Sequence, residues 1–112
     1  MVRRFKTRKG EGRWRVVFKE GRWLCGFYRP EFRRREEIIK LEKHNAPELF
    51  LLLEGKITLV IKEEGRRIKE IEMKKGEIIV LDCWHNAYSR DGRGVALVVE
   101  REDIETEFMK IS

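Results

Sequence analysis

The chain is divided into short segments by glycines, and their spacing constrains the fold more than any other feature. Gly55, Gly65 and Gly76 stand ten and eleven residues apart, with Gly21 before them and the Gly92–Gly94 pair after. Between them lie runs rich in Val, Ile, Trp, Phe and Tyr: Trp14–Phe18, Trp23–Tyr28, Glu37–Lys43, Glu48–Leu53, Lys56–Lys62, Arg67–Met73, Glu77–Leu81, Ala87–Ser89 and Val95–Glu100. Such residues fit the pleated, half-buried surface of a strand, glycine supplies the positive φ that hairpin turns need, and short strands at this interval mark a sandwich or barrel. A parallel α/β fold is excluded, because each crossover needs a dozen or more residues and these intervals leave no room for one. Only Glu102–Lys110 is open to a short C-terminal helix, since its acidic start suits a helix N-terminus; it reads equally as a closing strand. The expectation is an all-β chain with antiparallel pairing.

At 112 residues the chain is about one domain long, 1–112, with residues 1–10 expected to fray. Charged and hydrophobic residues each make up 41%, and the alternation of the apolar ones argues against a disordered chain. The longest uncharged apolar run, Leu49–Leu53, is five residues, far short of the ~20 of a membrane helix, and MVRRFKTRKG lacks the apolar stretch of a secretory leader. A cytoplasmic protein with no membrane partner follows as an expectation. The absence of Gln, the presence of only Asn45 and Asn86, and the density of Lys, Arg and Glu point to a thermophile, where ion-pair networks gain value. Cys25 and Cys83 match no zinc spacing and no CxxC pair, so they are expected as free thiols.

The net charge of +6 is uneven: residues 1–40 hold 14 Lys or Arg against 5 Asp or Glu, while residues 41–112 hold 12 against 15. A basic segment attracts phosphates. Here, however, the charges alternate with Trp14, Val16, Phe18, Trp23 and Phe27, as on the solvated face of strands, so no nucleic-acid partner is expected.

The chain has two histidines, His44 and His85, each beside polar residues at the end of an expected strand. Alternate side chains share a strand face, so Glu42 and His44 point the same way, and Glu48 opens the next strand after a turn marked by Pro47. Three potential ligands thus converge within seven residues. Imidazole nitrogen with carboxylate oxygen suits Mn, Fe, Ni, Co or Zn, and two His plus one carboxylate leaves coordination positions open. On spacing alone the same residues also fit an ordinary hydrogen-bonded pair.

The pattern E42-x-H44-x3-E48-x6-G55, followed by G76-x5-D82-C83-W84-H85-N86, resembles the cupin superfamily across residues 36–100. His44 falls on the second histidine of the first cupin motif, Glu48 on its glutamate, Gly55 on its closing glycine, Gly76 on the glycine that opens the second motif, and His85 on that motif's histidine. Glu42 stands where the family usually has a ligand histidine, and Asp82-Cys83 replaces its Pro-x-Gly turn. The resemblance implies a double-stranded β-helix, an antiparallel jelly-roll barrel, with one divalent transition metal (Mn, Fe, Ni, Co or Zn) held by His44, Glu48, His85 and Glu42. Phe50, Trp84 and Tyr88 are expected to line the pocket, whereas Trp14 and Trp23 read as core. The family includes oxygenases, isomerases and ligand-sensing domains. Two functions are therefore carried forward: a metal-dependent protein acting on a small polar metabolite, and a non-catalytic small-ligand-binding module. A homodimer is also expected. It would form edge to edge through Trp14–Phe18 and Trp23–Tyr28, whose large apolar residues exceed what two edge strands can bury alone.

Overall fold

The computed structural model describes residues 1–111. Ten strands form in chain order: β1 (Trp14–Glu20), β2 (Trp23–Tyr28), β3 (Lys40–His44), β4 (Glu48–Glu54), β5 (Thr58–Lys62), β6 (Lys69–Glu72), β7 (Ile78–Leu81), β8 (Trp84–Tyr88), β9 (Val95–Arg101) and β10 (Thr106–Lys110). Their only helical interruption among the described residues is a single 3-10 turn at Arg35–Glu37. The strands make two five-stranded antiparallel sheets, β1-β2-β9-β4-β7 and β10-β3-β8-β5-β6, facing one another. This is an all-β antiparallel fold of the sandwich or barrel kind that the glycine spacing predicts, in the jelly-roll form that the family resemblance implies. Gly21, Gly55, Gly65, Gly76 and Gly92 all take positive φ. At Gly55 the requirement is also spatial, because a Cβ there would clash with the Arg93 carbonyl.

The period-2 pattern of β4 sets the inside of the barrel. Glu48, Phe50 and Leu52 point inward and are buried, joined by Leu59, Ile61, Leu81, Ala87, Ala96 and Val98 from both sheets. Leu59 has no exposed surface, and burial of that kind stabilises the fold by about 1.5–3 kcal/mol per side chain. β5 is buried on both faces, for behind it Val60 joins Ile38, Leu41 and Tyr88 in a second apolar cluster on the outer side of the second sheet.

Two expectations need correction. Residues 102–110 contain no helix: β10 pairs with β3 from Thr106↔His44 to Lys110↔Lys40, because the open edge of β3 supplies a complete ladder that an isolated nine-residue helix cannot match. Nor are β1 and β2 both open edges. β2 lies between β1 and β9, Phe27 is buried, and only β1 is an edge, bent by a bulge between Val16 and Phe18.

The outer face of the first sheet is largely apolar, with Arg15 at one edge. One row of paired residues runs Phe18, Cys25, Val99, Leu49, Val80, and the next runs Arg15, Phe27, Leu97, Leu51, Ile78. At its ends Phe18, Ile78 and Val80 are 40%, 59% and 61% exposed.

Candidate metal centre

His44 ends β3 and Glu48 begins β4, so the three-residue turn between them carries the chain from one sheet to the other while both side chains stay inside. That turn is clamped: the Asn45 amide donates to the Glu105 carbonyl (3.2 Å), and the Glu105 amide donates to Asn45 Oδ1 (3.0 Å). The same segment then supplies Thr106, whose Oγ1 lies 2.8 Å from His44 Nδ1. The closing strand thereby aims His44 at the cavity. Glu42 is two residues earlier on β3, on the same face, and pairs across the sheet with His85 of β8. The His85 ring is oriented by Nδ1–H donating to the Cys83 carbonyl at 2.9 Å. A carbonyl only accepts, so this bond turns Nε2 of His85 to the interior, an arrangement common to metal-ligating histidines.

Both Nε2 atoms meet the carboxylates. His44 Nε2 is 2.5 Å from Glu48 Oε1 and 3.6 Å from Glu42 Oε1, and His85 Nε2 is 3.4 Å from Glu48 Oε2 and 3.8 Å from Glu42 Oε1. The rings themselves stand edge to face with centroids 5.4 Å apart. Burial works against charge on both imidazoles, but hydrogen bonding to and the charge of the neighbouring carboxylates push His44 up to about 10 and raise His85 as well. Burial likewise opposes charge on Glu48, yet the two histidines hold it down at about 2. Hydrogen bonding to His44 lowers Glu42.

These residues fit a divalent ion on two grounds. Glu48 Oε1 is buried with no aligned hydrogen-bond donor, despite its short contact with His44. Around an ion with bonds of ~2.1 Å, tetrahedral donors stand about 3.4 Å from one another, which is the range of three of the four contacts; the 2.5 Å pair is the one that would open. Two overlapping groups could hold such an ion, Glu42–His44–His85 and His44–Glu48–Glu100.

Glu100 is the residue that sequence reading passed over. It shares the inward face of β9 with Ala96 and Val98. Burial, together with the charge of Glu48, raises its carboxyl to about 7. The available signal was parity: a carboxylate at an inward position of an otherwise apolar strand. Parity also corrects the pocket lining. The cavity, about 200 Å³, is lined by Phe50 with the four ligand candidates, Glu100, Arg13, Trp14, Tyr28 and Asn86, but not by Trp84 or Tyr88. With His85 and Ala87 inward on β8, Trp84 and Tyr88 face outward, while Asn86, of the same parity, meets the cavity only at its rim, where its amide donates to the Lys40 carbonyl (3.0 Å). Tyr88 is buried in the outer cluster with its hydroxyl donating to Glu70 (2.6 Å), and Trp84 packs against that cluster. Trp14, expected in the core, is 39% exposed at the cavity wall.

No protein-family model matches the chain, and no curated protein matches it. Solved structures do. A protein with a double-stranded β-helix domain from Klebsiella pneumoniae superposes with a TM-score of 0.64 at 12% identity, covering 96% of this chain and 86% of that one. A cupin superfamily protein from Desulfitobacterium hafniense gives 0.57 at 11% identity over 88% and 84%. A DMSP lyase from Ruegeria pomeroyi gives 0.54 at 18% identity, over 88% of this chain and 51% of the lyase. At these identities the likeness concerns architecture, and it makes this a cupin-like fold.

Proposed function

We propose that the protein binds one divalent transition metal, of the group Mn, Fe, Ni, Co and Zn, through His44, Glu48, His85 and Glu42, and acts there on a small polar metabolite. The observation that carries this reading is the convergence of two Nε2 atoms, each with its Nδ1 engaged behind it, on two carboxylates in one cavity. A bound ion would supply Lewis acidity toward substrate oxygens, or a site for dioxygen. The chain's own residues do the rest: Thr106 and the Cys83 carbonyl orient the imidazoles, Phe50 and Leu59 keep the inner wall apolar, and Glu100 sets a second carboxyl beside Glu48. The fold neighbours include a lyase, which agrees with chemistry in such a barrel without naming this chain's reaction.

A second reading, a ligand-binding module without metal, is favoured by the direct 2.5 Å contact between His44 and Glu48, which balances charge with no ion. Metal content after chelation and refilling separates the two. The proposal expects one equivalent of metal in the wild type and none in His44→Ala; no uptake of Mn, Fe, Ni, Co or Zn at micromolar concentration selects the module.

The same reading includes a homodimer, placed on the outer face of the first sheet and not on the β1 edge. An unbroken row of apolar residues crosses the five strands, and Phe18, Ile78 and Val80 at its ends are exposed with no partner in the monomer, whereas the bulge in β1 blunts edge pairing.

A further inference from the structure

One wall of the cavity carries the imidazoles and carboxylates; another carries Arg13, Trp14 and Tyr28, none of which the proposed metal site uses. Arg13 is the only Lys or Arg among the residues lining this cavity. Its backbone is fixed, the carbonyl accepting from the Arg29 amide at 2.8 Å. Its guanidinium makes no ion pair among the described residues, although Glu42, Glu48 and Glu100 line the same space. The Arg13 side chain lies against the Tyr28 hydroxyl instead, so the cavity holds one cation that none of its three carboxylates engages.

Trp14 shows that this wall is built for contact. A Cβ on Gly26 would lie 2.7 Å from Cη2 and 2.9 Å from Cζ2 of its indole, so the ring rests directly on the backbone of β2. Gly26 does not have positive φ, and glycine is therefore needed there for space, not for backbone conformation. Beside it, burial pushes the Tyr28 phenol up to about 12, partly offset by Arg13, so its hydroxyl stays a donor at any physiological pH. Tyr28 in turn meets Phe50 edge-on at 6.3 Å, which continues the apolar surface inward.

We infer that the ligand of this site is a small organic acid, its carboxylate taken by Arg13 at the cavity wall, its body lying on the Trp14 indole, and a second oxygen reaching the His44–Glu48–His85 end. This rests on the metal-site reading for the last contact only. Guanidinium presents a planar fork that matches a carboxylate two bonds at a time, and the acidic far end of the cavity repels the anion, which fixes the direction of entry. A cavity of about 200 Å³ corresponds to roughly seven waters' worth of volume at ~30 Å³ each, which suits a small acid.

The test is calorimetric binding of acids paired with their own amides, acetate through lactate to mandelate, to wild type, Arg13→Gln and Trp14→Ala, with metal content measured on every sample. Wild type should bind at least one acid roughly tenfold or more tightly than its amide, as loss of a charge-assisted hydrogen bond implies. Arg13→Gln should abolish that preference while keeping wild-type metal content and thermal midpoint. Trp14→Ala should weaken acid and amide alike. If no acid in the series is preferred over its amide, or if Arg13→Gln retains the preference, the inference is overturned. Absence of metal in a protein that still prefers acids through Arg13 overturns the metal-site reading instead.

Discussion

At the scale of residues, the centre is a set of charges that satisfy each other until something displaces them. His44 is held at about 10, above its ordinary 6.5, and Glu48 at about 2, below its ordinary 4.5. A raised histidine contributes stability fully present below pH 6.5 and lost as pH rises through 10; a depressed carboxylate contributes stability present above pH 4.5 and lost as pH falls through 2. Metal-free protein should therefore gain most from this pair between pH 4.5 and 6.5, seen as a plateau in thermal midpoint against pH. Glu48→Gln should lower that plateau and flatten its acid side; an unchanged profile would show that the pair contributes nothing. Glu42 makes a separate prediction. As a second carboxylate it favours oxygen-preferring Mn and Fe(II), so Glu42→His should move selectivity toward Zn or Ni in competition titrations, and an identical metal order in both proteins would place Glu42 outside the ligand set.

Strand parity decides most of what the sequence could and could not reveal. Glu42 with His44, and Glu48 with Phe50, share faces because a strand alternates, and that much is legible without coordinates. The same rule applied to His85 puts Trp84 and Tyr88 outward; reading them as pocket residues on proximity alone ignored it. The helix alternative for 102–110 rested on an acidic first turn, a preference of a few tenths of a kcal/mol to about 1 kcal/mol, which the β3 ladder outweighs. That the resulting strand brings Thr106 to His44 Nδ1 could not be read locally, since the partners are 62 residues apart. Placement on the outer face has a measurable consequence. Trp84→Ala should lower stability by about 3 kcal/mol, the low end for Trp in view of its partial exposure, while leaving metal stoichiometry unchanged. Loss of metal in a folded Trp84→Ala protein would contradict the assignment of β8 faces.

For the whole molecule, the barrel is closed by apolar residues on the inside and remains largely apolar on the outside of one sheet. One paired row of apolar residues, Phe18, Cys25, Val99, Leu49 and Val80, crosses all five strands, and Phe18, Val80 and Ile78 are exposed at its two ends, a patch of the kind that marks an interaction site. Light scattering should give twice the 13.5 kDa of one chain, and Val80→Lys combined with Ile78→Glu should give a monomer without loss of fold; a wild-type monomer at micromolar concentration would remove the dimer from the account. The basic excess in residues 1–40 lies mostly outside the strands, in residues 3–13 and 29–35; it should give only weak, salt-sensitive association with polyanions, and sub-micromolar binding to RNA or DNA at physiological salt would overturn that.

The central claim is positional: one ion, at one point, between two imidazoles. Anomalous diffraction from a crystal of Mn-loaded protein tests it directly. A single strong peak about 2.0–2.3 Å from Nε2 of both His44 and His85 and from a Glu48 oxygen is the predicted result. A crystal with no peak in the cavity, or with manganese only among surface carboxylates, would contradict it.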